Sequence, residues 1–196
     1  MSTDTTARSP QTAILPSGRW RVARSRSRVG FEVNRRGAGP LHGAFTAFDG
    51  ELAVGAAGTA AHGFVRIDSI DTGNEERDEH LCAPSFFATE RYPFMTFVAT
   101  QVVPTAGGEW AIDGELTIRD VTRPLHLLAR VEDVAGHDDR RRLHVGGELD
   151  RRDFALTWSR VIEMTGAVAM QVRLELDLDV EPETWCLHDA EAAPPS

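Results

Sequence analysis

The sequence contains no lysine: all 21 of its basic residues are arginine. Without that amine there is no Schiff-base chemistry and no lysine-bearing phosphate loop. Positive charge is short overall, because 30 acidic residues leave a formal net charge of -9. A generic nucleic-acid binder must neutralise phosphates, so that class is excluded. Cysteine is scarce, and Cys82 and Cys186 lie too far apart to frame a secreted mini-domain. Two unpaired thiols in a reducing compartment are expected. No apolar run approaches the ~18 residues that cross a membrane as a helix. Residues 1–17 hold Ser, Thr, Asp and Pro where a signal peptide needs an apolar stretch, so they read as a flexible leader of a cytoplasmic protein. Residues 184–196 read as an acidic flexible tail, which leaves one domain at 18–183.

The chemistry of tight motifs is missing too. Seven histidines are scattered, with no H-E-x-x-H spacing, and no G-x-S-x-G elbow is present. No catalytic residue, metal or cofactor is therefore expected. Asp71, Glu75, Asp78 and Glu79 crowd one segment, but Arg77 lies among them and a helix N-terminus attracts acids in any case. An enzyme using His80, Asp71 or Asp78 as acid–base groups is the alternative that this cluster leaves open.

What is present is alternation. From Met170 to Val180 the even positions are Met, Val, Leu, Leu, Leu and Val, and the odd positions are Gln, Arg, Glu, Asp and Asp. Successive strand side chains point to opposite faces, so this segment is a strand with one apolar face, whereas a helix would scatter its leucines. The pattern recurs from Trp110 to Ile118, Leu125 to Val131, Leu143 to Leu149 and Val29 to Val33. Shorter strands suit Leu41–Phe48, Glu51–Val54, Gly63–Asp68 and Phe94–Val103. Turns are expected at Arg36–Pro40, at the Asp49–Gly50 pair as a tight hairpin, at Ala106–Gly108 and at Gly136–Asp139. Parity slips between Val22 and Val29, which marks a turn or bulge.

One segment has no alternation. Asn74 can cap, acids follow it and Pro84 stops the run, so Asn74–Leu81 reads as a short helix, with a second helical turn starting at Ser85–Phe87. About eight antiparallel strands with one wet face imply a closed barrel or sandwich, and a barrel of that size can hold one small ligand. The helix would cover one mouth. Parity does not separate a hollow barrel from a filled one acting as an interaction module.

Three stretches, in this order and spacing, carry a family resemblance. They are Leu41–Leu52, Ser69–Leu81 followed by Phe86–Phe87 and Tyr92–Pro93, and Gly114–Pro124. Together they resemble the YceI-like family of polyisoprenoid-binding proteins, over nearly the whole domain from Trp20 to about Val180. The resemblance implies an all-β, lipocalin-like extended antiparallel barrel with a short helical cover. It implies a non-catalytic carrier of a polyisoprenoid or isoprenoid-quinone lipid, with pairing into a homodimer. Four places depart from the family pattern: Ala23, Arg26–Ser27, Arg35 and Asp120. The candidate lining residues are Phe31, Val33, Phe45, Phe97, Leu116, Ile118, Leu125, Leu127, Leu156, Trp158 and Met170. Arg77 is expected to pair with Asp78 and pin the cover.

The charge is unevenly placed. Seven arginines fall between Arg19 and Arg36, while Glu175, Asp177, Asp179, Glu181 and Glu183 form an acidic row. If the first and last strands close the barrel, Arg19 or Arg21 should meet Asp177 or Asp179, since opposite charges across strands are favourable.

Overall fold

Alternation in the sequence becomes strand in the structure along most of the chain. The computed structural model describes residues 15–157 and 167–183. Three strands are broken once each. β1 (Gly18–Val22) continues as β2 (Arg28–Arg35) after a 3-10 turn at Arg24–Arg26. β3 (Ala38–Phe45) continues as β4 (Phe48–Gly55) across a kink at Thr46–Ala47. β5 (Gly58–Arg66) continues as the short β6 (Ile70–Asp71) after a 3-10 turn at Ile67–Ser69. The others are unbroken: β7 (Phe94–Pro104), β8 (Trp110–Ile118), β9 (Val121–Val134), β10 (His137–Asp150) and β11 (Val168–Pro182). The one α-helix among the described residues, α1 (Glu75–Cys82), lies between β6 and β7.

Pairing is antiparallel throughout, and the sheet closes on itself. β4 joins β1 to β5, and the ladder then runs β7, β8, β9, β10 and β11. β11 is long enough to pair with β2 over its first part and with β1 at its end. Counting each broken strand once gives a closed eight-stranded barrel. The three kinks sit side by side. Thr46 N–H donates to Ser69 O at 3.0 Å, Arg66 N–H to Ala47 O at 2.8 Å, and Ala47 N–H to Ser69 Oγ at 3.0 Å. One half of the wall is thus bent along a shared line, and the half made by β7–β11 is not.

Closure brings the basic and acidic rows together, but two residues further along than the sequence suggested. Arg21 stands opposite Glu181 in the β1–β11 register and meets it at 3.1 Å, and Arg19 reaches Glu183 at 3.8 Å. The expected partners Asp177 and Asp179 lie elsewhere because β1 ends at Val22, before it reaches them. Asp177 pairs with His144. Asp179 is only 1% exposed despite its outward parity. Arg142 grips its carboxylate with Nε at 2.7 Å and Nη2 at 3.2 Å, while its backbone N–H donates to Ser27 Oγ at 2.9 Å.

Other details differ from expectation. Asp49–Gly50 is not a hairpin but lies inside β4, and β3 and β4 do not pair. Gly50 is there for close approach: it stands opposite Gly63, and a side chain on it would meet Val22 Cγ2 at 3.1 Å. Asp49 accepts from the Gly50 N–H and holds Arg24. The segment after Pro84 makes turns rather than a second helix. Phe86 and Ala88 N–H both donate back to Ala83 O, and Ala88 takes a left-handed φ of 52° that ends any helical run. At the leader, Leu15 is buried and Trp20 Nε1–H donates to Pro16 O at 3.0 Å, so the packed chain includes residues expected to be loose. Residues 1–14 and the tail at 184–196 lie outside the described residues.

Candidate ligand-binding lumen

The inward faces of the strands do not fill the barrel. Two apolar chambers lie end to end inside it. The upper, about 400 Å³, sits under α1; the lower, about 220 Å³, lies deeper between the strands. Phe45, Met95, Ile118, Leu149 and Leu174 line both, and so form a waist between them. Below the lower chamber Trp20, Val131 and Val180 are buried and line neither chamber, which makes a packed floor. The upper volume alone falls in the range of roughly 300–1,000 Å³ usual for small-molecule pockets.

Inward glycines keep the lumen open. Gly43 stands opposite Phe31, and the tip of the Phe31 ring reaches over it, so that a methyl group on Gly43 would come 2.8 Å from Phe31 Cε1. Phe97 lies over Gly114 in the same way, where an added Cβ would also strike the Val98 carbonyl at 2.6 Å. Leu127 covers Gly147, its cross-strand partner. Large side chains thus fold back against the wall instead of crossing the lumen.

The roof is built from α1 and the turns after it. Asn74 caps the helix by accepting from the Arg77 N–H at 2.8 Å, satisfying a first-turn donor. Arg77 and Asp78 do not pair with each other; they converge on Thr72. Arg77 donates to Thr72 Oγ1 at 2.7 Å and to Thr72 O at 2.8 Å, while the Thr72 hydroxyl and N–H donate to Asp78. A neutral residue between opposite charges does the pinning that a direct ion pair was expected to do. Leu81, Phe86 and Phe87 are buried beneath the roof, the two rings edge to face at 4.9 Å. Burial pushes the Cys82 thiol up, away from the thiolate form.

Arg35, Asn74, Glu76, Arg77, His80 and Arg151 line the upper chamber, and Asp49, Glu51, His62 and Thr96 border the lower one. Arg151 is 3% exposed, with Nη1 donating to Leu156 O at 2.7 Å and Nε to Ala169 O at 3.1 Å. Asp150 caps the turn that carries it (Arg151–Phe154), accepting from the Arg152 N–H at 2.9 Å. The Arg152 guanidinium beside Asp150 holds that carboxyl below the usual carboxylate range.

A family model of the YceI-like domain matches residues 20–180. The chain belongs to the YceI-like family. Among curated relatives, a UPF0312 protein of Photorhabdus laumondii is 34% identical over 106 residues, which is 53% of this chain and 55% of that protein. The chain thus spans little more than half the length of that relative. Protein YceI of Escherichia coli O157:H7 is 33% identical over 134 residues, 64% of this chain and 69% of that one. Of solved structures, BcnA of Burkholderia cenocepacia superposes with a TM-score of 0.72 at 20% identity, covering 81% of this chain and 98% of its own. A polyisoprenoid binding domain from Saccharophagus degradans gives 0.66 at 13% identity, with 83% and 98% covered. At such identities the likeness speaks for the lipocalin-like fold alone.

Within the YceI-like barrel the candidate lining residues divide between the chambers. Phe31, Val33 and Leu156 line the upper one, Phe97, Leu116, Leu125 and Leu127 the lower, and Phe45 and Ile118 both. Met170 lines neither; its sulfur accepts from Arg151 Nη2 at 3.4 Å. Trp158 lies outside the described residues. Residues outside the candidate lining set include Met95, Leu149 and Leu174 at the waist and Phe86 and Phe87 in the roof. Leu174 was marked by parity, since it shares the apolar face of Met170–Val180. The roof residues carry no periodic signal. Among the family departures, Asp120 accepts from the Tyr92 hydroxyl at 3.2 Å, and Ser27 buttresses Asp179.

The acid–base candidates do not share one wall. His80 lines the upper chamber, whereas Asp71 and Asp78 border a separate outer depression. Asp71 accepts from the Gly73 N–H at 2.8 Å, and Asp78 is engaged with Thr72. No group of three or more His, Cys, Asp or Glu side chains suited to a metal occurs among the described residues.

Proposed function

We propose that this YceI-like barrel binds one long apolar chain of the polyisoprenoid type, isoprenoid quinones included, and holds or carries it without changing it chemically. The observation that carries this reading is the pair of apolar chambers that share five lining side chains: a compact ligand would need only one, and a chain passing the waist fills both. Each methylene moved from water into such a lumen contributes about 0.8 kcal/mol, so a few isoprene units support micromolar binding even after ordering costs. The glycine-backed rings give the chain smooth walls, and the Thr72 clasp holds the cover over it. The likeness in fold to a polyisoprenoid binding domain supports the same reading.

The test is mass spectrometry of an organic extract of the full chain purified under native conditions. A stoichiometric long-chain lipid is expected. Repeated extraction of none, with no uptake of added polyprenol, would remove the proposal.

A further inference from the structure

Resting on the lumen reading above, we propose that the upper chamber selects a chain with an anionic head, a carboxylate or a phosphate, over the uncharged alcohol of the same chain. The chamber walls are apolar except at one end, where the guanidiniums of Arg35 and Arg77 and the His80 imidazole stand near the exposed Glu76, the one carboxylate that lines the chamber. Arg35 and Arg77 are the informative pair. On the outer wall, Arg21, Arg26, Arg142 and Arg173 each meet a carboxylate within 4 Å. Arg35 and Arg77 meet none among the described residues. Arg35 bonds only through Nε, to Gly39 O at 3.2 Å, and Arg77 gives Nε and Nη2 to Thr72. Both Nη groups of Arg35 and Nη1 of Arg77 keep open donors beside the chamber.

A half-buried guanidinium with neutral partners only is an incomplete ion pair. Its fork matches a carboxylate or phosphate, and charge-assisted bonds of this kind are about twice as strong as neutral ones. Low-dielectric walls strengthen the attraction and focus it at the rim. The cations also answer the main objection to drawing an anion toward an apolar chamber, the cost of desolvating it unpaired. The overall charge of -9 repels anions, so any preference for them has to arise locally.

The experiment measures dissociation constants of the full chain for palmitate against hexadecanol, and for farnesyl phosphate against farnesol. At least one anion is expected to bind about tenfold or more tightly than its alcohol. The winning pair tells a carboxylate from a phosphate head. In Arg35→Gln/Arg77→Gln that ratio should fall to about one. Arg35→Gln alone leaves the Thr72 clasp intact and should lower the ratio at least about threefold, which keeps the test open if the double variant does not fold. Alcohols binding as well as both anions, or a ratio unchanged in Arg35→Gln, would overturn the head-group proposal and leave the lumen reading standing. Failure of all four probes to bind would overturn both.

Discussion

The two chambers share five side chains and differ in nearly everything around them. The upper one is roofed by a helix and rimmed by arginines. The lower one is enclosed by strands and floored by Trp20, Val131 and Val180. The glycines that hollow them differ in the same way. At Gly43 the obstacle to a side chain is the Phe31 ring, which can swing; at Gly114 it is the Phe97 ring together with the Val98 carbonyl, which cannot. The lower chamber is thus set by the backbone and the upper by side chains. One is built for capacity, the other for selection.

The largest effect should come from attacking the rigid chamber. Gly114→Ala is expected to lose about 3 kcal/mol in urea unfolding, the upper range for overpacking. A loss below about 1 kcal/mol would show that the lower wall yields as easily as the upper. Next comes the waist. Met95→Trp should leave a ten-carbon prenol bound within about threefold of the original, while weakening a twenty-carbon prenol at least about tenfold, because the longer chain needs both chambers. Equal losses for the two would mean that the chambers do not act in series. Gly43→Ala should cost only about 1 kcal/mol of stability, with a Phe31 ring displaced into the upper chamber and weaker binding of every chain length. Retained binding together with a large stability loss would reverse the contrast with Gly114.

The smallest effect concerns the rim. Asp150 is held below the ordinary carboxylate range by Arg152, and it caps the turn that carries Arg151. A depressed folded value means that its contribution is complete above the unfolded value of about 3.9 and is lost as pH falls through the folded one. Asp150→Asn should therefore cost about 0.5–1 kcal/mol at pH 6, and the gap from the original should narrow at a second, acidic pH below the unfolded value. Urea titrations at the two pH values decide it; a gap that persists in acid would assign the effect to something other than the charge.

The unbent half of this molecule was the easier half to read from sequence. In β11 the apolar face from Val172 to Val180 follows from alternation alone, and Asn74 announced its cap, because both signals are local. The bent half was harder. Gly50 carries the same local signal whether it makes a turn or lets Val22 approach, and only the β4–β5 pairing decides between them. Asp179 has outward parity and is nevertheless buried, because Ser27 and Arg142, both far away in sequence, reach over it. Hollowness was illegible for a similar reason: it depends on which ring lies over which glycine, and Phe31 meets Gly43 only once the β2–β3 register is set. The lining set was partly legible, since parity marks a face but not how deep along the barrel a residue sits. Met170 and Leu174 share a face, and only Leu174 borders the chambers.

The most direct test of the lumen is the dependence of affinity on chain length, measured on the full chain with uncharged prenols of ten, fifteen and twenty carbons. Burial in a continuous lumen predicts that the dissociation constant falls at least about tenfold per added isoprene unit until both chambers are filled, and then levels off. An affinity that does not change with length, or no binding at any length, would contradict it.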